Sequence, residues 1–513
     1  MVTCVHGLRL LLRFVVREPR RGREPEYFEL HEIAANFDRF LTHARAADVP
    51  DVIAFADLAH DRGRYVRALA RRQLEPDAPG ACLPFPFPNG PAKLRRLSVI
   101  DPRGQVLLRC AAGRIASTTD PRLFAGVHSA RLVAGPPSWE TRSPDKAWQR
   151  LKKEGRKFVS SADARAVLRT DVAGYYPSIE HGRLEDLLSE IGCDADAVTV
   201  LGRCLAWWRT AFGLVGLPIG PEASGVLGTG FLHPVDELVR EHSLGYLRYT
   251  DDIFVVGGSA DECWDFAASV DSGLSALALT RNIEKTEVID ADEARVRWFG
   301  RNPIGPYDDA VDGGVALTEV GAVQIVRGEL ARGDPDPDRF RYALGALRTS
   351  KNREVVVELL ASPAALELFP KQVGDYLLDV APLGAELVER TLDGLADPLD
   401  DRHHARDVHL IRACRGERLG RVEGQGLVHA AMDSRRPSPV RAWALDACAR
   451  AGGVRLDELG DIALDPGEDT LVQRAAVAGT RNVVHSARRR FLRHPRLRNS
   501  VLGWTASWAA SFS

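Results

Sequence analysis

Three aspartates stand where a folded chain ordinarily avoids acid. Asp251 and Asp252 are adjacent, inside Tyr246-Leu247-Arg248-Tyr249-Thr250-Asp251-Asp252-Ile253-Phe254-Val255-Val256. Two apolar, β-branched and aromatic runs flank a short polar centre, so the segment reads as a β-hairpin. An Asp-Asp pair without glycine is poor turn chemistry. Between buried strands it also forces two like charges together. A local rule broken inside a strong pattern marks function, and a bound divalent cation would relieve the repulsion. The chain carries its own control. Asp308-Asp309 and Asp400-Asp401 are also pairs, but they lie among Gly, Pro and charged residues and read as solvated turns.

A third carboxylate lies upstream. The apolar run Ala166-Val167-Leu168-Arg169-Thr170 ends in Asp171, and the chain then turns through Gly174 into Tyr175 and Tyr176. Alone, Asp171 reads as a strand-end cap. With the hairpin it completes a three-carboxylate set. Two-metal phosphoryl transfer needs such a set, with oxygen ligands holding two Mg²⁺ ions roughly 3.5–4 Å apart. One ion activates the attacking oxygen and the other the leaving oxygen.

Cations accompany the acids. Lys93 and Arg95 alternate along a predicted strand and so share a face. Arg150, Lys152, Lys153, Arg156 and Lys157 cluster before the first catalytic strand, and six arginines cluster between Arg488 and Arg498. Both clusters suit a phosphate backbone; the competing reading of each is a solvated helix face.

The elements that must position these groups divide near residue 300. Before it, short strand-like runs alternate with helical patterns, as in an α/β layer. Asn302 to Gly314 is rich in Gly, Pro and Asp and reads as a linker, giving segments 1–300, 301–318 and 319–513. The last segment is patterned as helix. Val440, Trp443, Ala444, Ala447 and Cys448 share one helical face, with Pro437 and Pro439 before it and Gly452-Gly453 after it. A second helix is expected over Leu471–Ala478, and Val472 falls 32 residues after Val440. That spacing suggests a HEAT-like helical-pair repeat; an irregular helical domain is the alternative.

Composition bounds the reading. A chain of 513 residues, 45% of them apolar, is long enough for more than one core. The formal net charge of −2 lends no bulk support to nucleic-acid binding, so affinity must come from local basic patches. Eight cysteines, from Cys4 to Cys448, include no Cys-x-x-Cys pair. They read as buried thiols of a reducing cytosol, not as disulfides or a zinc site. Arg9 and Arg13 interrupt the apolar run Leu8–Val16 and no small-residue cleavage site follows, so no signal peptide is expected. No run reaches the roughly 18 apolar residues of a membrane span. A soluble, cytoplasmic protein with no membrane partner is expected.

The Tyr-x-Asp-Asp element at 249–252 and the Asp-x-x-x-Tyr-Tyr-Pro-Ser-Ile element at 171–179 resemble the two catalytic palm motifs of reverse transcriptases. Their separation of 80 residues suits that family. Four more elements resemble it in order: Lys93 to Pro102, the fingers hairpin; Gly216 to Ser224, the loop-to-helix element at template and nucleotide; Asn282 to Thr286; and Trp298-Phe299-Gly300, the primer grip. The resemblance runs from about residue 80 to 300.

It implies an α/β right-hand polymerase palm and fingers over 1–300, followed by a mainly α-helical thumb and accessory region. The implied activity is RNA-directed DNA polymerisation, a nucleotidyl transfer that adds dNTPs. Asp171, Asp251 and Asp252 would hold two Mg²⁺ ions, with Mn²⁺ as an alternative. Lys93 and Arg95 would neutralise the triphosphate. Tyr176 would be the steric gate against a ribose 2′-hydroxyl, with Tyr175 in the core. Gly220 and Ser224 would shape the nucleotide pocket. Lys285 would protonate the departing pyrophosphate, against the plain reading of a surface lysine. Lys152, Lys153, Lys157, Trp298 and Gly300 would contact nucleic acid.

The implied partners are an RNA or DNA template-primer or a non-coding RNA, and dNTPs; a homo-oligomer is compatible. Ile219 stands where most of the family carries Gln. The Leu-Pro-Ile-Gly variant resembles the bacterial defence-associated branch, which includes the abortive-infection enzymes. That branch implies an antiviral role, and some of its members polymerise without a template. Some also carry a ribonuclease of Arg-x(4–6)-His type, a spacing that Arg402 and His409 meet. Two rivals remain: an RNA-dependent RNA polymerase, and a catalytically idle palm acting as a nucleic-acid-binding scaffold.

Overall fold

The computed structural model describes residues 27–512, apart from 45–46, 74, 76, 91–92, 241–242, 301–315, 333–334, 393–394, 396–399, 416, 418, 420, 484–486 and 499. The expectations for Leu8–Val16, for Cys4 and for the linker Asn302–Gly314 lie outside the described residues.

The chain is mixed α/β and mainly helical. Strand β1 (Cys82–Pro88) pairs antiparallel with β2 (Leu94–Ile100), and β3 (Leu132–Ala134) with β4 (Glu140–Thr141). The remaining strands are β5 (Ala166–Thr170), β6 (Gly245–Tyr249), β7 (Asp252–Gly257) and β8 (Glu287–Asp290). They form one antiparallel sheet in the order β6-β7-β5-β8.

Both faces of this sheet are covered, which is why its strands read as nearly unbroken apolar runs. Side chains alternate between the faces. Leu168, Tyr246 and Val255 join the largest core, beneath the helix Ala260–Ala276. Val167, Leu247, Phe254 and Val256 face the helix Pro144–Val159 together with Trp298 and Phe299.

The third segment is helical throughout the described residues. Helix Ser438–Ala451 is buried on every side from Pro439 to Ala449 and ends at Gly452, whose φ is +75°. An element buried all round lies inside a core, and its two charged residues there are paired, Arg441 with Glu468 and Asp446 with Arg450. It packs against Arg421–Met432 and Thr470–Gly479.

The second large core crosses the division near residue 300. Val52, Ile53, Phe85, Phe87 and Leu97 pack into the same cluster as Phe340, Val440 and Trp443. Polar contacts seal that seam. The half-buried Arg474 pairs with both Asp51 and Asp57, and Thr505 donates to Asp57 at 2.7 Å. Trp443 Nε1 donates to the Pro50 carbonyl at 2.9 Å, and His409 Nε2 meets the Asp48 carbonyl at 2.8 Å. The seven described cysteines are free and buried. Among the described residues, no helix is long and apolar enough to cross a membrane.

Candidate active site

Tyr249 pairs with Asp252, so the hairpin turn is Thr250-Asp251 and Asp252 opens β7. Thr250 has a φ of +57°. A β-branched residue rarely adopts this left-handed conformation, and such strain persists only when the surroundings hold it. Two bonds do so. The Thr250 N–H donates to Ser129 Oγ at 2.7 Å, and its carbonyl accepts from Arg248 Nη1 at 2.7 Å. Arg248 is fully buried and is itself clamped by Asp236, through Nε and Nη2 at 2.6 Å each. Tyr246 Oη donates to the same carboxylate at 2.5 Å. A satisfied ionic network thus lies under the hairpin.

Asp171 follows β5 and is 3% exposed. Thr170 pairs with Ile253 in antiparallel register. One residue further, that register sets Asp171 opposite Asp252. Asp171 Oδ2 is paired with Lys285 Nζ, while Asp171 Oδ1 is buried with no partner. The Asp171 carbonyl accepts from Asn282 N–H at 2.8 Å, which anchors the 3-10 turn Ile283–Lys285 that carries the lysine. On the far side, Arg169 Nη2 lies 3.3 Å from Asp252 Oδ1.

The acids bear on one another electrostatically. Burial, then Asp252 and Asp171, push the Asp251 carboxyl up to about 6. Burial also raises Asp252, against the pull of Arg169. Among the described residues, no three acidic, histidine or cysteine side chains close into a metal cage. Lys285 pairs with Asp171 and Arg169 with Asp252, so each of these two carboxylates has a cationic side chain beside it. The donor set still fits Mg²⁺. It is all carboxylate oxygen, and it includes one orphaned buried oxygen, Asp171 Oδ1, beside a carboxyl held above its ordinary range.

Tyr175 and Tyr176 separate as expected by burial. Tyr175 is in the core, with Oη donating to the Gly228 carbonyl. Tyr176 is half-buried, with its ring centroid 5.3 Å from that of Tyr175. Helix Glu222–Phe231 presents glycine to both rings: a Cβ on Gly228 would lie 3.1 Å from Tyr176 Cε1 and 3.2 Å from Tyr175 Cε1. Burial first, then the Asp251 charge, raises the Tyr176 phenol. Gly216 (φ +64°) lets two backbones cross, because its Cβ would lie 2.1 Å from the Tyr176 carbonyl oxygen. Leu217 N–H donates to that same oxygen at 2.9 Å. Ser224 is buried with Oγ unpartnered, and Gly220 (φ +121°) borders open space. Ser98 N–H donates to the Ile219 carbonyl at 2.8 Å, tying β2 to this loop.

Other expected residues sit differently. Lys93 and Arg95 do not share a strand face: β2 begins at Leu94, and Lys93 lies in the β1–β2 turn, bonded to Gly90 and Asn89. Arg95 reaches Asp48 at 3.4 Å and stacks over Phe87 at 5.8 Å. Trp298 is 7% exposed and packs on Phe254 at 5.9 Å, so it is a core residue under the sheet and not a surface contact. Gly300 is confined, since a Cβ there would strike the Val296 carbonyl at 2.2 Å. Lys152 is half-buried, and Lys153 and Lys157 are exposed on the helix Pro144–Val159. Arg156 Nη1 donates to the Phe299 carbonyl at 2.7 Å. Arg402 pairs with Asp400 while His409 is buried in the seam, so the two form no shared site. Arg488 is buried on the Ala509 carbonyl, whereas Arg489, Arg490, Arg493, Arg496 and Arg498 are exposed.

Sequence reasoning missed Ser129, Asp236 and Arg248. Arg248 carried a signal, a charge between two residues of an apolar strand. Ser129 carried none. No protein-family model matches the chain, and no curated protein matches it.

Proposed function

We propose that this chain is an RNA-directed DNA polymerase of the reverse-transcriptase kind, with a right-hand palm and fingers, that adds dNTPs at Asp171, Asp251 and Asp252. One observation carries the reading. Antiparallel register sets Asp171 opposite Asp252 with Asp251 in the adjoining turn, and burial, added to by repulsion from the other two acids, holds Asp251 at about 6. A binding scaffold has no use for that cost.

Two Mg²⁺ ions bound by these carboxylates would neutralise the triphosphate and lower the pKa of the attacking hydroxyl. The protein's own groups do the rest. Asp171 offers its orphaned Oδ1 as a ligand. Lys285, protonated and paired with Asp171, would donate its Nζ proton to the departing pyrophosphate. The Tyr176 ring, backed by Gly228, fills space beside the sugar and rejects a 2′-hydroxyl. Gly220 and Ser224 shape the nucleotide pocket, Ser224 from a buried position behind its wall. Arg489, Arg490, Arg493, Arg496 and Arg498 supply phosphate contacts to a template-primer or non-coding RNA. The Leu-Pro-Ile-Gly element at 217–220 supports a defence role.

The test is incorporation of labelled dNTP with Mg²⁺ by wild type, Asp251→Asn and Tyr176→Ala. Asp251→Asn is expected to lower the rate by on the order of 10³-fold, the scale of losing a charged group that acts in the transition state. Tyr176→Ala is expected to admit rNTPs. A wild-type rate in Asp251→Asn refutes the catalytic assignment. A wild type that prefers rNTPs refutes the DNA product in favour of an RNA polymerase.

A further inference from the structure

Beside the edge strand β6 lies a cavity of about 510 Å³ that the reaction above does not use. Its walls are the loop 125–132, Arg142 and the helix Pro144–Val159. Arg131, Arg142, Arg150, Lys153 and Lys157 all line it, against the single lining carboxylate of Glu154. Arg131 is matched by Asp120 at 2.8 Å. Among the described residues the other four cations have no ion-pair partner within 4 Å. Five cations against the carboxylates of Glu154 and Asp120 leave three positive charges uncompensated.

The crowding has visible effects. Burial, then Arg150 and Arg131, depress the Arg142 guanidinium. His128 is also in the wall, with its side chain 5% exposed. Its Nε2 lies 3.1 Å from Glu154 Oε2 but is not aligned to bond it, so a buried polar atom is left unpaired at the cavity. Burial, then Arg142, Arg131 and Arg150, hold His128 down at about 4, so the ring is neutral at pH 7.

Like charges packed into a concave wall raise the local positive potential and cost stability unless an anion shares the space. Guanidinium forks match phosphate oxygens two at a time, and ammonium groups add point charge. The volume falls in the ~300–1,000 Å³ range of small-molecule pockets. One phosphodiester carries a single negative charge and leaves most of the excess in place. A terminal phosphate or an oligophosphate chain offsets it. We propose that this cavity is a second phosphate site, separate from the three aspartates, that takes a multiply charged phosphate group. Its source is either the oligophosphate of a free nucleotide or the phosphorylated 5′ end of a nucleic-acid strand. The site adjoins the catalytic hairpin: His128 N–H donates to the Arg248 carbonyl at 3.0 Å, and the next residue, Ser129, holds Thr250.

The proposal stands apart from the polymerase reading, and its test needs neither Mg²⁺ nor turnover. The full chain is titrated calorimetrically with tripolyphosphate in excess chelator. Wild type is expected to bind, Asp251→Asn to bind equally, and the surface double variant Arg150→Ala/Lys153→Ala to bind at least tenfold more weakly. The His128 ring resonance, assigned with His128→Gln, is expected to titrate higher when tripolyphosphate is present, because an anion offsets the surrounding cations. Oligonucleotides that differ only at the 5′ end then compete for the site. Stronger competition by the 5′-phosphorylated strand assigns the site to strand ends, and failure of both strands to compete assigns it to free oligophosphate. Absence of binding by wild type, equal binding by the double variant, or loss of binding in Asp251→Asn overturns the proposal.

Discussion

At the scale of the residue, Asp251 is held in the fold against its own preference. Its carboxyl rises from 3.8 to about 6 through burial and the nearby Asp252 and Asp171. The folded state therefore prefers the protonated acid. The resulting penalty is absent below about pH 4, grows as pH rises, and is complete above the folded value near 6. Asp251→Asn keeps the shape and removes the charge. It is expected to raise unfolding stability at pH 7.5 by about 1–2 kcal/mol, after discounting for solvent screening. At pH 4 the gain should vanish. Urea melts at the two pH values check this. A variant less stable than wild type at pH 7.5 would show that the carboxylate is a structural partner and not a site under strain. The stability gain should accompany the activity loss, the usual trade at a functional site.

At the scale of the element, the hairpin is shaped by a loop far away in the chain. Thr250 keeps its left-handed backbone because Ser129 Oγ accepts its N–H. Nothing within β6 or β7 supplies that bond. Ser129→Ala is expected to cost about 1 kcal/mol of stability, the scale of one hydrogen bond. Its effect on incorporation should be larger, about tenfold or more, because a small displacement of Asp251 misplaces the reacting groups. The comparison is made well below the melting temperature, where the variant remains folded. Activity that falls no further than the folded fraction would assign Ser129 a purely structural part. A second such tie is the Ser98 to Ile219 bond, which joins the β1–β2 hairpin to the loop before helix Glu222–Phe231.

At the scale of the whole molecule, the helical segment after residue 318 completes a core that residues 48–57 and the β1–β2 hairpin begin. Removing it would expose Val52, Ile53, Phe85, Phe87 and Leu97 together, an apolar patch that isolated domains avoid. A chain ending at residue 318 is expected to aggregate or melt without cooperativity. Arg474→Met tests the seam more gently. It leaves the buried Asp51 and Asp57 carboxylates without their cation, which is expected to cost about 3–5 kcal/mol. Hydrogen exchange at residues 48–57 should quicken in that variant. Unchanged protection there, or a well-folded truncated chain, would make the helical segment a detachable unit.

Much of this protein was written in short stretches of its sequence. The apolar runs around Asp251-Asp252 set the hairpin, the strand ending in Asp171 set its neighbour, and the spacing of Val440, Trp443, Ala444, Ala447 and Cys448 set a buried helix. Each is a signal within one element, where backbone geometry alone decides which side chains share a face. Contacts between elements carry no such periodicity. Arg95 shares its neighbourhood with Lys93 in sequence, yet Asp48, 47 residues away, draws it off. Trp298 could have served surface or core, and only the arrival of Phe254 over it decided for the core. Arg474 meets Asp51 across 423 residues, and the basic cavity joins Arg131 and Arg142 to cations of the following helix. Sequence alone determined the elements and the acids they carry. The seam, the strained turn and the cavity were decided by which faces met when the whole chain buried its apolar surface at once.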